Sequence, residues 1–131
     1  MIYKNFILSD KLAKLTPNQT GLFTPHHSKF YLTICILNTE TGEKIKRRTT
    51  YQYNTSATKY RAGDGLYAVA SDALCFADCP GFHDFCLEFG YSPDAPKARG
   101  AYKACRASMA FFEKAGLDMS DIVAIRETLD A

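Results

Sequence analysis

No apolar run in this chain approaches the length of a membrane span; stretches such as residues 30–37 fall far short of the roughly 20 residues a transmembrane helix needs. Segment 1–10 is not expected to act as a signal peptide either, because Lys4, Asn5 and Ser9 interrupt its apolar residues. The expected location is therefore the cytoplasm. The five cysteines lack an even partner set, and without a secretion signal they are expected as reduced thiols rather than a disulfide framework. No internal repeat or low-complexity tract breaks the 131 residues, so the simplest organisation is one domain, 1–131, around a single core. No stretch spells out a reaction.

The net charge of +2 hides an uneven distribution. Residues 1–65 carry ten Lys and Arg against four Asp and Glu, a net of +6, and residues 66–131 carry six against ten, a net of −4. A basic first half suits nucleic acid or an acidic protein patch, while opposite halves also suit mutual neutralisation within a monomer or across a homodimer.

The best-determined stretch is 82–112. Phe82, Phe85, Cys86 and Phe89 recur at i, i+3, i+4 and i+7, the spacing of one helical face, and Gly90 suits the position just past the helix end. Behind Asp94, an expected N-cap, Ala98, Ala101, Tyr102, Cys105, Met109 and Phe112 repeat at the same spacing until Gly116. Two helices with an apolar seam follow from this pattern. A further helix is expected over 66–76, and another from about 119 to 129 behind the Asp118 and Asp121 capping pair.

The first half reads as strands. Residues 1–8 suit an edge strand, Ser9 suits the cap of a short helix holding Leu12 and Leu15, and 16–29 reads as an irregular connection. In 30–38, Phe30, Leu32, Ile34 and Ile36 share one face and Tyr31, Thr33, Cys35 and Leu37 the other, so both faces are expected to be covered. A turn at 39–43 with Gly42 leads to a return strand, 44–53, on which Lys44, Lys46 and Arg48 alternate with Ile45, Arg47 and Thr49. Residues 54–65 read as a loop into the helical half. The expected fold class is α+β: an antiparallel β-hairpin in a small sheet, followed by a bundle of about four helices.

Candidate chemistry is sparse. Cys75, Cys79, His83 and Cys86 are residue types that suit zinc, although their spacing matches no usual knuckle and the packing alternative for the cysteines weighs more. Cys35, Cys105, His26 and His27 supply nucleophile and base types, but a thiolate needs a base within reach and a polarised setting, so packing and solvated roles are expected instead. Asp84 and Glu88, one helical turn apart, read as a solvent face. No catalytic residue, metal or cofactor is assigned.

Binding is the stronger reading. Lys44, Lys46, Arg47, Arg48, Lys59 and Arg61 form a basic cluster and are the expected partner-binding residues, with Tyr51, Tyr53 and Tyr60 near enough in sequence to stack on bases. The motif Phe82-x-x-Phe85-Cys86-x-x-x-Gly90-Tyr91-x-x-Asp94, followed by Lys97, Ala98, Tyr102 and Cys105, resembles a family of small phage and prophage accessory proteins over about residues 30–116. That resemblance implies a mobile-element setting, and through it a non-enzymatic inhibitor that binds a bacterial defence protein or ribonucleoprotein complex, in the manner of anti-CRISPR proteins. The alternative is a small nucleic-acid-binding protein that uses the basic hairpin.

Overall fold

The computed structural model describes residues 1–14, 27–54 and 60–130, with side chains described except at 14, 27–30 and 50–54. The connection expected at 16–29 lies largely outside them. Four strands, β1 (Ile2–Tyr3), β2 (Phe6–Lys14), β3 (His27–Asn38) and β4 (Lys44–Asn54), form one antiparallel sheet in the order β1-β2-β3-β4. Four helices follow: α1 (Asp64–Asp78), α2 (Phe82–Phe89), α3 (Pro96–Lys114) and α4 (Met119–Asp130). The fold is α+β. It comprises two compact units, Met1–Leu66 and Tyr67–Ala131.

The short helix expected behind Ser9 is a strand instead. Leu12 and Leu15 have helical spacing, but Leu8, Asp10 and Leu12 alternate with Ile7, Ser9 and Lys11, and β2 pairs along its length with β3 from Phe6↔Asn38 to Lys14↔Phe30. Nine residues of cross-strand pairing outweigh the weak local preference for a single helical turn. β1 joins β2 through a two-residue turn in which Lys4 takes φ 49°, as tight hairpins require. At the other hairpin Gly42 takes φ 76°, and the Asn38 side chain accepts from the N–H groups of Glu40 and Thr41.

Residues opposite one another in an antiparallel pair share a face, so register assigns each described side chain to one face. Phe6, Leu8, Leu32, Ile34 and Ile36 are buried on one face, where Asp10, Ile34 and Arg47 form a single row. On the other face Tyr31, Thr33, Cys35 and Leu37 are half-buried, while Ser9, Lys11, Lys44, Lys46 and Arg48 are exposed. One face of β3 is therefore sealed and the other partly open, where coverage of both was expected from apolar content alone.

The covered face carries one polar anchor. Asp10, half-buried, accepts hydrogen bonds from the Tyr60 hydroxyl at 2.7 Å and from the backbone N–H groups of Gly63 and Leu66, each at 3.0 Å. Those amides belong to the start of α1, so a strand carboxylate fills donors that a helix N-terminus leaves unsatisfied, and its charge complements the helix dipole there. Tyr60 Oη in turn accepts from Gly65 N–H at 3.0 Å, and a Cβ at Gly65 would overlap both that hydroxyl and the Leu32 side chain. Glycine is required by contact, not by φ.

In the helical unit Phe85 and Cys86 are buried in α2, while Phe82 is half-buried and Phe89 is 37% exposed, so only the centre of the expected seam is sealed. Tyr102 on α3 holds the rings together: its centroid lies 5.4 Å from those of Phe82 and Phe85 and 5.7 Å from that of Phe76, and its hydroxyl donates to the Pro80 carbonyl at 2.6 Å. Gly90 ends α2 at φ 76°, as expected. The N-cap of α3 is Ala95 rather than Asp94, and its side chain makes no capping bond. Pro96 at the first helical position supplies the fixed φ and omits a donor that needs no partner there. Asp118 and Asp121 form the expected reciprocal cap of α4, each carboxylate accepting the other's backbone N–H at 3.0 Å.

Replacing Asp10 by alanine removes the acceptor of the Tyr60 hydroxyl and of two backbone N–H groups at the head of α1, all part-buried, and should destabilise the protein by about 1 to 3 kcal/mol. Urea denaturation followed by circular dichroism measures this. A change within about 0.5 kcal/mol, the range of ordinary surface substitutions, would contradict the assigned anchor.

Candidate functional site

The exposed side of the sheet is the strongest candidate. Three exposed cations of β4, Lys44, Lys46 and Arg48, point the same way because they alternate with Ile45 and Arg47. Their cross-strand partners on β3 are Leu37, Cys35 and Thr33, and beyond these on β2 stand Ile7, Ser9 and Lys11. Lys11 thus joins the cationic face from a strand 33 residues earlier than Lys44, opposite Thr33 and in the same row as Arg48. The Arg48 guanidinium lies 4.2 Å from the Tyr31 ring centroid, an arrangement that holds a planar cation against an aromatic face. Among the described residues of this face no carboxylate occurs. At the end nearest β1 the character changes to apolar, with Ile2 75% and Ile7 39% exposed.

Not every residue of the expected cluster belongs to this face. Arg47 pairs with Ile34 and is half-buried on the covered side, so sequence proximity to Lys46 and Arg48 was misleading. Arg61 is exposed but lies two residues from Gly63, whose N–H reaches Asp10, which places it with the head of α1 rather than with the stripe. Tyr60 gives its hydroxyl to Asp10 and is used internally. Lys59 and the side chains of Tyr51 and Tyr53 lie outside the described residues, as do His26 and the side chain of His27. Lys11 and Tyr31 were missed because the first was assigned to a helix and the second to a sealed face. No local signal marks them, because Ser9, Asp10 and Lys11 are all polar and hide the alternation of β2.

The cysteines have other surroundings. Cys75 and Cys105 line a cleft of about 470 Å³ in the helical unit together with Asp72, Phe85, Phe89 and Tyr91. Burial, followed by the nearby Asp72 carboxylate and Cys75, pushes the Cys105 thiol up from 9.0 to about 12. Burial and Asp72 raise Cys75 as well, and Cys79 is raised by desolvation and then by Asp78, Glu88 and Asp84. A carboxylate neighbour holds a thiol protonated, which is the opposite of the setting that activates a nucleophile. His83 is exposed and Cys86 buried, and among the described residues no three His, Cys, Asp or Glu side chains converge to hold a metal ion. Asp84 and Glu88 are exposed, as expected of a solvent face.

No helix among the described residues is long and apolar enough to cross a membrane. Comparison with protein-family models, with curated proteins and with solved structures gives no match. Function is therefore argued from the chemistry of these surfaces.

The raised thiols make a pH prediction. A folded thiol that keeps its proton above the ordinary value of 9.0 contributes stability that is full below pH 9 and is lost as pH rises from 9 towards the Cys105 value of about 12. Cys105→Ala should flatten part of that decline in a denaturation series. At pH 8 the folded protein should also react with iodoacetamide at Cys75, Cys79 and Cys105 more slowly than the urea-unfolded chain does. Equal rates at all three, read by mass spectrometry, would contradict the assignment.

Proposed function

We propose that this protein is a phage-encoded, non-enzymatic inhibitor that docks the exposed basic face of its sheet on a bacterial defence protein or ribonucleoprotein complex in the host cytoplasm. The observation that carries this reading is the ordered row of Lys44, Lys46 and Arg48 on one face, extended by Lys11, with no described carboxylate to neutralise it there. Like charges gathered on one side of a domain cost self-repulsion, which an anionic surface relieves. Such a field steers association and sets register on a complementary partner.

Two further observations support binding over chemistry. Burial and neighbouring carboxylates hold the Cys75, Cys79 and Cys105 thiols in their protonated form, and among the described residues no three side chains of zinc-binding type are brought together. The class of partner comes from the resemblance of the Phe82 to Cys105 motif to small phage and prophage proteins. Defence complexes present acidic surfaces and bound nucleic acid, both of which suit a cationic sheet face.

Replacing Lys44, Lys46 and Arg48 together by glutamate inverts the field without touching the covered face. The variant should keep its circular dichroism spectrum and melt within a few degrees of the native protein, as expected for exposed positions. It should lose both capture of the defence complex from bacterial lysate and the inhibition that follows. A folded triple variant that captures and inhibits normally would contradict the proposal.

A further inference from the structure

The face proposed to bind carries more than charge. Lys11, Thr33 and Arg48 form one row across three strands, Ser9, Cys35 and Lys46 the next, and the Arg48 guanidinium rests on Tyr31. Building on the reading of this face as the binding surface, we infer that its ligand is a single-stranded nucleic acid, with phosphates following β4 and a base laid against the Arg48–Tyr31 pair.

Spacing supports this. Alternate residues of a strand stand about 6.8 Å apart, so Lys44, Lys46 and Arg48 make a straight file of charges that an extended phosphodiester chain can track. Lys11 adds a fourth cation on the far side of Thr33, roughly two inter-strand spacings or about 10 Å away, so a strand lying on this face has cations on both flanks. The guanidinium carbon lies over the tyrosine ring, 4.2 Å from its centroid, so one side of the cation faces the ring and the other is left for a base, with its N–H groups in reach of phosphate. The exposed hydroxyl of Ser9 and the half-buried one of Thr33 stand between the cations, where they can donate to or accept from sugar and base edges.

A duplex fits less well. A major groove about 12 Å wide admits a helix or a two-stranded ribbon, and a row three strands wide with its side chains exceeds it. An acidic protein patch would satisfy the four cations, with the Arg48 fork on a carboxylate, but leaves the side of the guanidinium away from Tyr31 without a stacking partner.

Fluorescence anisotropy with labelled oligo(dT) tests the inference. With four phosphates neutralised at about 0.7 each, affinity should fall with roughly the third power of salt concentration. Arg48→Lys keeps the charge and loses the plane, so it should weaken binding about tenfold at an unchanged salt slope, since stacking on one base is worth about that much. Tyr31→Leu should behave like Arg48→Lys, whereas Lys44→Gln should reduce the slope by about 0.7. A duplex of the same length should bind more weakly than oligo(dT).

Failure of folded native protein to bind oligo(dT) at low salt would overturn the inference, and so would a duplex preference or an Arg48→Lys variant equal to the native protein. If the native protein ignores oligo(dT) while the triple glutamate variant loses the defence complex, the face docks on acidic protein; this inference falls and the proposed function stands. If oligo(dT) binds as described while the triple glutamate variant still captures and inhibits the defence complex, the inference stands and the proposed function falls.

Discussion

The carboxylate of Asp10 under the first turn of α1 is the interaction on which the sheet's arrangement depends. A carboxylate turned away from water is tolerated only when its lone pairs are filled, and here a hydroxyl and two backbone amides fill them. Because side chains alternate along β2, a slip of one residue would turn Asp10 to the exposed side and bring Lys11 into the covered row beside Ile34. Neither residue would then find its environment. The pairing of Asp10 with Tyr60, Gly63 and Leu66 thus fixes register as well as attachment, and Gly65 is held to glycine by the closeness of Leu32 and the Tyr60 hydroxyl.

Register divides the cations of the first half between the two faces of the sheet. Arg47 goes to the half-buried row with Ile34, where its neighbours are structural, while Lys44, Lys46 and Arg48 emerge on the opposite side with Lys11. The four collect on one surface although they come from two strands with β3 between them. The helical unit differs in kind. Its core is built on Phe85, Phe112, Leu117, Ile122 and Ile125, with half-buried rings gathered on Tyr102, its Cys75, Cys79 and Cys105 thiols are held protonated by burial and carboxylates, and its cleft is lined by apolar groups around Asp72.

The helical half was legible because each of its helices carries its own evidence. Gly90 and the Asp118 and Asp121 pair act on amides within a few residues, and the seam from Ala98 to Phe112 repeats at 3.6 residues, so local sequence determined local structure. Asp94 failed as a cap because Pro96 shifts the helix start to Ala95. The first half depends on contacts far apart in sequence. Asp10 acts on residues 50 to 56 positions away, which no window around Ser9 could reveal, so β2 was mistaken for a helical turn and Lys11 was lost from the site. The β4 stripe was readable from alternation alone, yet Arg47 was grouped with it by adjacency, a reminder that in a strand the neighbour in sequence faces the other way.

Lysine footprinting tests the open sheet face directly. The protein would be acetylated briefly with and without saturating oligo(dT), and each lysine quantified by mass spectrometry. Protection confined to Lys11, Lys44 and Lys46, with Lys97, Lys103 and Lys114 of α3 unchanged, is the expected result. Protection centred on the α3 lysines, or none at the three sheet lysines when binding is saturated, would contradict the assignment of the open sheet face as the binding surface.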